Sequence, residues 1–332
     1  MECASDGENF STAAWTDYIS TVLKEHIGKN LFLYIDDMVI YAETLEKHNE
    51  ILKNIMEDLW KNGIELNMKK LEILPKKLEI LGHEVEGNKV TLSAKTKKKI
   101  QEINTPKNKK GLERLLGFLN WVAHKTVGFA QASRILYSRL KGTFFWDEEA
   151  QKALEKIKES VVEELTLPKD GPFAMYTDAS DECISALLFQ DGNLVGIHSK
   201  ALKSHQLLWG STEKEWLAIE EGLKKFRPYI GGNHVEVRTD NAALCWTTMT
   251  EFNNRILKSM VKTAGFKFNI SWLPGVLNVA ADFMSRPVEN GQKEFEINSF
   301  IPEGLEKIMK DGKEKFLLHG EEEEKKNNQG GS

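Results

Sequence analysis

Cysteine is scarce in this 332-residue chain: Cys3, Cys183 and Cys245 are the whole supply. An odd number at wide spacing offers neither a disulfide framework nor a zinc-ligand pattern, and points to a reducing interior, cytoplasm or nucleus. Long hydrophobic runs are also missing. The first thirty residues hold no uninterrupted apolar stretch, so no secretory signal is expected, and no segment suffices to span a bilayer. A strong overall charge is lacking too. The formal net of -5 does not announce a polyanion binder, yet it averages over unlike regions. Between Lys61 and Lys110 there are 13 lysines, no arginine and 6 acidic residues, whereas from Val288 onward 11 acidic residues outweigh 7 lysines. A basic middle with an acidic end fits a surface that meets polyanion in one place, and fits a lysine-rich solvated face equally well.

What is present reads as alternating short elements. Leu31-Phe-Leu-Tyr-Ile35 and Met38-Val-Ile-Tyr41 flank Asp36-Asp37, which predicts a tight β-hairpin turning at the two acids. Thr44 is placed to cap a helix whose positions Leu45, His48, Leu52, Ile55 and Leu59 recur at helical spacing up to Gly63. Ile64 to Val90 reads as short strands with a hairpin at Glu86-Gly-Asn88. Ser93 then caps a lysine-rich helix that ends before Pro106. Residues 109–163 read as helix in pieces, broken at Gly128, Gly142 and Trp146-Asp147, and Pro168 with Gly171-Pro172 marks a boundary. Beyond it the order is βββαβαβα, a mixed sheet with packed helices. Residues 288–332 lose periodicity and read as a charged, largely disordered tail.

Four acids stand out in that last region, each in sequence that otherwise looks buried. They are Asp178 in Tyr-Thr-Asp-Ala-Ser, Glu215 in Glu-Lys-Glu-Trp-Leu-Ala-Ile, Asp240 in Arg-Thr-Asp-Asn, and Asp282 in Asn-Val-Ala-Ala-Asp-Phe. Isolated buried carboxylates are costly. Several that converge become tolerable around divalent cations, as in a two-metal phosphodiester-cleaving centre with ions about 4 Å apart. An all-oxygen set suits Mg²⁺, with Mn²⁺ as a substitute. Singly, each acid also reads as a turn former, helix cap or solvated helix position. Jointly, in this order, they favour catalysis.

Residues 172–287 resemble the ribonuclease H domain of gypsy-type LTR retrotransposons and retroviruses. The resemblance lies in Tyr-Thr-Asp-Ala-Ser, Ser211-Thr-Glu-Lys-Glu-Trp-Leu-Ala-Ile219, Lys225-Phe-Arg-Pro-Tyr229, Arg-Thr-Asp, and Pro274-Gly through Asn278-Val-Ala-Ala-Asp-Phe-Met-Ser-Arg286. It implies two-metal cutting of the RNA strand of an RNA–DNA hybrid, with Asp178, Glu215, Asp240 and Asp282 as metal ligands. The chain departs from the family at Asn241, where relatives have His, and at Val276, where they have a charged residue. It also has no His between Trp272 and Asp282.

Tyr34-Ile-Asp-Asp37 resembles the palm hairpin of reverse transcriptases. The likeness continues through Gly63-Ile-Glu-Leu-Asn67, Leu81-Gly-His83 and Leu115-Leu-Gly-Phe-Leu-Asn120 to Phe145-Trp-Asp-Glu-Glu-Ala-Gln151. It implies Asp36 as a metal ligand and Asp37 as its support. The family draws another metal-binding Asp from an upstream strand, and only 35 residues precede Asp36 here, so polymerisation is not expected of this chain as given. The expected architecture is therefore α+β and α/β multidomain. It comprises a partial palm over 1–92, a helical thumb and connection over 93–167, a ribonuclease H-like five-stranded mixed sheet with flanking helices over 168–287, and the tail. The expected partners are nucleic acid, above all RNA–DNA hybrid, and other parts of a Pol polyprotein, with a homodimer left open and no membrane. The alternatives are a catalytically decayed nucleic-acid-binding remnant, or a fragment of a polyprotein with active polymerase.

Overall fold

A computed structural model describes residues 9–246 and 253–273. They divide into two compact units, the first ending at Ile80 and the second beginning at Leu81.

In the first unit, helix α1 (Asn9–Val22) precedes strands β1 (Leu31–Tyr34) and β2 (Asp37–Ile40), followed by α2 (Leu45–Lys61) and the short β3 (Leu78–Ile80). The hairpin forms, but one residue earlier than its sequence suggests. Tyr34 pairs with Asp37, so the turn residues are Ile35 and Asp36, and Asp37 opens β2. Ile35 takes a φ of 54°, a left-handed conformation that a β-branched side chain rarely adopts. Thr44 caps α2 by accepting a hydrogen bond from the Lys47 amide at 3.3 Å, and Gly63 beyond its end has the positive φ of a helix stop. The core is small: Ile19, Leu23, Leu31, Ile55 and Leu59. Residues 64–77 hold turns and irregular backbone where strands were expected. Leu74 at positive φ and Pro75, which lacks an amide donor, account for part of that stretch.

The second unit opens with the hairpin β4 (His83–Glu86) and β5 (Lys89–Leu92), turning at Gly87-Asn88. Ser93 caps α3 (Ala94–Gln101), which buries Thr96 and Ile100 and leaves Lys95, Lys97, Lys98 and Lys99 exposed. Helices α4 (Lys109–Val122), α5 (Phe129–Ser138) and α6 (Glu148–Glu159) follow. Gly128 at φ 64° precedes α5, and Asp147 caps α6. Their apolar faces close a core around Leu112, Leu116, Leu119, Leu136, Leu154 and Ile157. A three-residue strand, β6 (Glu164–Thr166), pairs with β5 and was not foreseen, since three residues are too few to show alternation.

The main sheet is built from β7 (Phe173–Ala179), β8 (Cys183–Gln190), β9 (Asn193–Ala201), β10 (His234–Thr239) and β11 (Lys267–Trp272), in the order β11-β10-β7-β8-β9. The first three strands are antiparallel; β10 joins β7 and β11 in parallel. Between them lie α7 (Ser211–Ile230), α8 (Ala242–Trp246) and α9 (Asn254–Thr263). Helix α7 approaches the sheet closely because Gly222 sits where a Cβ would stand 2.8 Å from the Ala186 Cβ and 2.9 Å from the Met175 sulfur. Met175, Ile219, Leu223, Phe226, Val235 and Val237 fill that interface. On another side, Val127 and Leu165 pack with Leu187, Leu194 and Ile197, and the Ala130 amide donates to Ser199 Oγ at 3.1 Å. The helical segment and the main sheet thus share one unit. The helix expected near Val279 and the expected tail lie outside the described residues.

Candidate active site

Register brings the first pair of acids together. In the parallel ladder Arg238 stands opposite Tyr176, so two residues further on Asp240 comes level with Asp178 at the carboxyl ends of β10 and β7. Neighbouring parallel strands end side by side, and open sheets of this kind place their sites beyond those ends. Glu215 arrives from the second turn of α7, the helix that the small Gly222 lets lie against the sheet. One carboxylate oxygen of each of Asp178, Glu215 and Asp240 lies within 4.8 Å of the others, and among the described residues this is the one such cluster of three potential metal ligands. Asp178 and Glu215 are buried, and Asp240 is half-buried, which leaves the cluster open from one side.

The three acids strain one another electrostatically. Burial, then the charges of Asp178 and Asp240, push the Glu215 carboxyl up to about 9, against the opposing pull of the Ala179 amide and the Thr239 hydroxyl. Glu215 Oε1 accepts the Ala179 amide at 3.1 Å, while its buried Oε2 has no hydrogen-bond partner. Three crowded acids with one orphaned buried oxygen are what a hard divalent ion would satisfy, and the donor set is all oxygen. The residues present therefore fit Mg²⁺.

Asp282, the fourth acid expected here, lies outside the described residues, as does Val276. The Asn241 backbone amide donates to Thr239 Oγ1 at 3.2 Å. Asp36 and Asp37 belong to the first unit, exposed at the hairpin, and among the described residues no third acid joins them in a ligand cluster. Sequence reasoning passed over two supporting groups. Lys214 is buried beside Glu215 and holds Asp181 Oδ1 at 3.0 Å, fixing the turn after β7. Glu213 accepts from the Gly210 amide, Asn253 Nδ2 at 2.7 Å and Arg255 Nη1, so it ties the start of α7 to the start of α9. A basic or acidic residue beside a site acid was the available signal, and it is too common to act on alone.

Residues 169–266 match the family described as "RNase H-like domain found in reverse transcriptase". Residues 5–85 match "Reverse transcriptase (RNA-dependent DNA polymerase)". The chain is homologous to the Pol polyproteins of LTR transposons. It is 27% identical over 275 residues to the Pol polyprotein of transposon 297 of Drosophila melanogaster, covering 81% of this chain and 26% of that protein. It is 26% identical over 311 residues to the Tf2-3 polyprotein of Schizosaccharomyces pombe, covering 88% and 23%. The chain thus spans about a quarter of the length of these relatives. A foamy viral protease-reverse transcriptase solved with RNA/DNA hybrid superposes with a TM-score of 0.66 at 21% identity, over 88% of this chain and 41% of that one. A second, solved with double-stranded DNA, gives 0.66 at 22%, over 79% and 49%. These likenesses establish the fold: a reverse-transcriptase segment followed by an RNase H-like domain. The acid cluster lies inside the matched residues 169–266.

Proposed function

We propose that this chain is a divalent-metal-dependent ribonuclease H that cuts the RNA strand of an RNA–DNA hybrid at the cluster of Asp178, Glu215 and Asp240. The observation that carries the reading is the gathering of three carboxylate oxygens within 4.8 Å, one acid bearing a buried, unpartnered oxygen. Asp178, Glu215 and Asp240 would hold Mg²⁺, with Asp282 as the expected fourth ligand. When bound, a pair of such ions activates a water and stabilises the leaving oxygen of an in-line phosphodiester displacement. The chain's own residues fix the positions: β7 and β10 hold two carboxylates level, α7 presses the third against them, and Lys214 braces the turn that follows Asp178.

The exposed lysines of α3, part of the basic 61–110 stretch, would grip backbone phosphates, so affinity for hybrid should fall steeply with salt. Discrimination of the strands would rest on the 2′-hydroxyl and the shallow groove of the RNA-containing duplex. For nucleotide polymerisation, Asp36 and Asp37 offer two ligands on an exposed turn with no third acid beside them among the described residues, so we assign this chain no polymerase activity as it stands. The test is incubation of the full chain with an RNA–DNA hybrid labelled on each strand. Cleavage confined to the RNA, dependent on Mg²⁺ and abolished by Asp178→Asn, is expected. Absence of cleavage under those conditions, with hybrid binding retained, would instead identify a decayed nucleic-acid-binding remnant.

A further inference from the structure

A second group of potential ligands lies outside the carboxylate centre, at the base of the β4–β5 hairpin. His83 opens β4, and His124 sits in the single 3₁₀ turn Ala123–Lys125 that follows α4. Their rings face each other with Nε2 to Nε2 at 3.3 Å. On the far side of each ring, His83 Nδ1 meets the Leu81 carbonyl at 3.2 Å and His124 Nδ1 meets the Trp121 carbonyl at 2.9 Å. A carbonyl only accepts, so each Nδ1 must carry the proton and donate. Both Nε2 atoms are then bare lone pairs aimed at one another. No neutral tautomer repairs this. Moving one proton to an Nε2 satisfies the facing pair but sets a bare Nδ1 against a carbonyl oxygen.

A cation that accepts both lone pairs would resolve the conflict. Two imidazole nitrogens at about 2.05 Å from a tetrahedral cation stand about 3.3 Å apart, the separation found here. A ring whose other nitrogen donates to a backbone carbonyl is also the usual support of a metal-bound histidine.

The scaffold makes this pairing rigid. Gly82, at φ 76°, sits where a Cβ would lie 2.8 Å from Thr96 Oγ1 and 3.0 Å from the Trp121 ring, and its carbonyl accepts from Thr96 Oγ1 at 3.0 Å. The Trp121 ring packs against His83 at 5.0 Å between centroids. Both histidines keep partial exposure, which leaves a path for an ion and its remaining ligands.

We propose that His83 and His124 form a two-histidine site for a borderline-soft divalent cation of the zinc class, separate from the carboxylate centre. Imidazole nitrogens suit Zn²⁺, Cu²⁺ or Ni²⁺, whereas the acid cluster suits Mg²⁺. The Lys125 ammonium, donating to the Val90 carbonyl at 2.5 Å, repels any cation, so an ion held by coordinate bonds is favoured over one held by charge alone. With two protein ligands, the other positions are open to water or an anion.

The test is titration of the full chain with Zn²⁺ in excess Mg²⁺, by calorimetry and by nitrogen NMR of the imidazoles. The variants are His83→Asn, His124→Asn and Asp178→Asn. Asparagine keeps a donor where Nδ1–H stands and removes Nε2, so the carbonyl contact survives. Saturable Zn²⁺ binding that moves both Nε2 resonances in the unmodified chain, persists in Asp178→Asn, and weakens roughly 10–100-fold in either histidine variant is expected. Binding unchanged in both histidine variants, or Nε2 resonances that Zn²⁺ does not move, would overturn the site. The NMR arm needs no mutant and so stands even if a variant folds poorly.

Discussion

The two acidic centres of this chain are built in opposite ways. Asp36 and Asp37 ride on a two-stranded hairpin, exposed, in a unit whose core among the described residues is five buried apolar side chains. Asp178, Glu215 and Asp240 sit at the rim of a five-stranded sheet backed by a long helix, with two of the three acids buried. The difference shows what a carboxylate centre costs. On an open turn the acids are hydrated, and the strain falls on the backbone at Ile35, on the order of 1–3 kcal/mol for such a conformation. In the sheet the backbone is regular and the strain is electrostatic, concentrated on Glu215.

The sharpest way to break the contrast is to neutralise one acid in each centre. Asp178→Asn should lower hybrid cleavage by roughly a thousandfold or more, because several kcal/mol of transition-state stabilisation depend on the metals it would hold. Asp36→Asn should leave the same cleavage rate unchanged. Equal losses would mean that the hairpin takes part in the nuclease reaction. In EDTA, Asp178→Asn should melt no lower than the unmodified chain, since it removes one of the charges that crowd Glu215. A clear drop in melting temperature would count against the crowding.

Packing separates the regions next. Leu59→Ala in the first unit should cost about 2–5 kcal/mol and raise amide exchange in α1 and α2, while the β7–β10 amides stay protected. Gly222→Val should do the reverse, because its added methyls meet Ala186 and Met175; overpacking of this kind costs about 1–3 kcal/mol. Exchange that rises across both units in either variant would show that they unfold together.

Acid offers a subtler probe. Burial and the Lys225 charge hold His198, on β9, down to about 4. A histidine depressed on folding is neutral in the native state, so its contribution is intact above the unfolded value near 6.5 and is lost as pH falls towards 4. His124 behaves likewise. The β8–β9 amides should therefore lose protection between pH 6.5 and 4, and His198→Gln should flatten that slope. The smallest effect expected is Thr44→Ala, which removes the α2 cap and costs about 1 kcal/mol, read as a shift in the melting of the first unit alone.

Much of this was legible in the sequence, wherever a local rule has one outcome. Thr44 and Ser93 cap helices because a short oxygen-bearing side chain can reach the free amides of the first turn. The order of strands and helices after Pro172 follows from alternation and helical spacing. Legibility failed where a choice is settled by pairing at a distance. The hairpin at 34–37 was expected to turn on two polar residues, yet the register of β1 with β2 puts Ile35 in the turn. Strand β6 exists because β5 offers it an edge. The approach of the acids was inferred from their contexts, but that Asp178 and Asp240 stand level depends on a parallel register no local signal encodes. Nothing in the spacing of His83 and His124 marks them as neighbours.

That parallel ladder has a consequence in time. Arg238 and Tyr176, its last paired residues, are 62 positions apart in the chain. At a synthesis rate of about 5–20 residues per second, roughly 3–12 s separate the emergence of the two strands from a ribosome. Throughout that interval β7, β8 and β9 can form their antiparallel meander, but Asp178 has no Asp240 beside it. The acid cluster would therefore be incomplete as its first strand leaves the ribosome, and would acquire its third carboxylate, Asp240, only once most of the domain has left the tunnel.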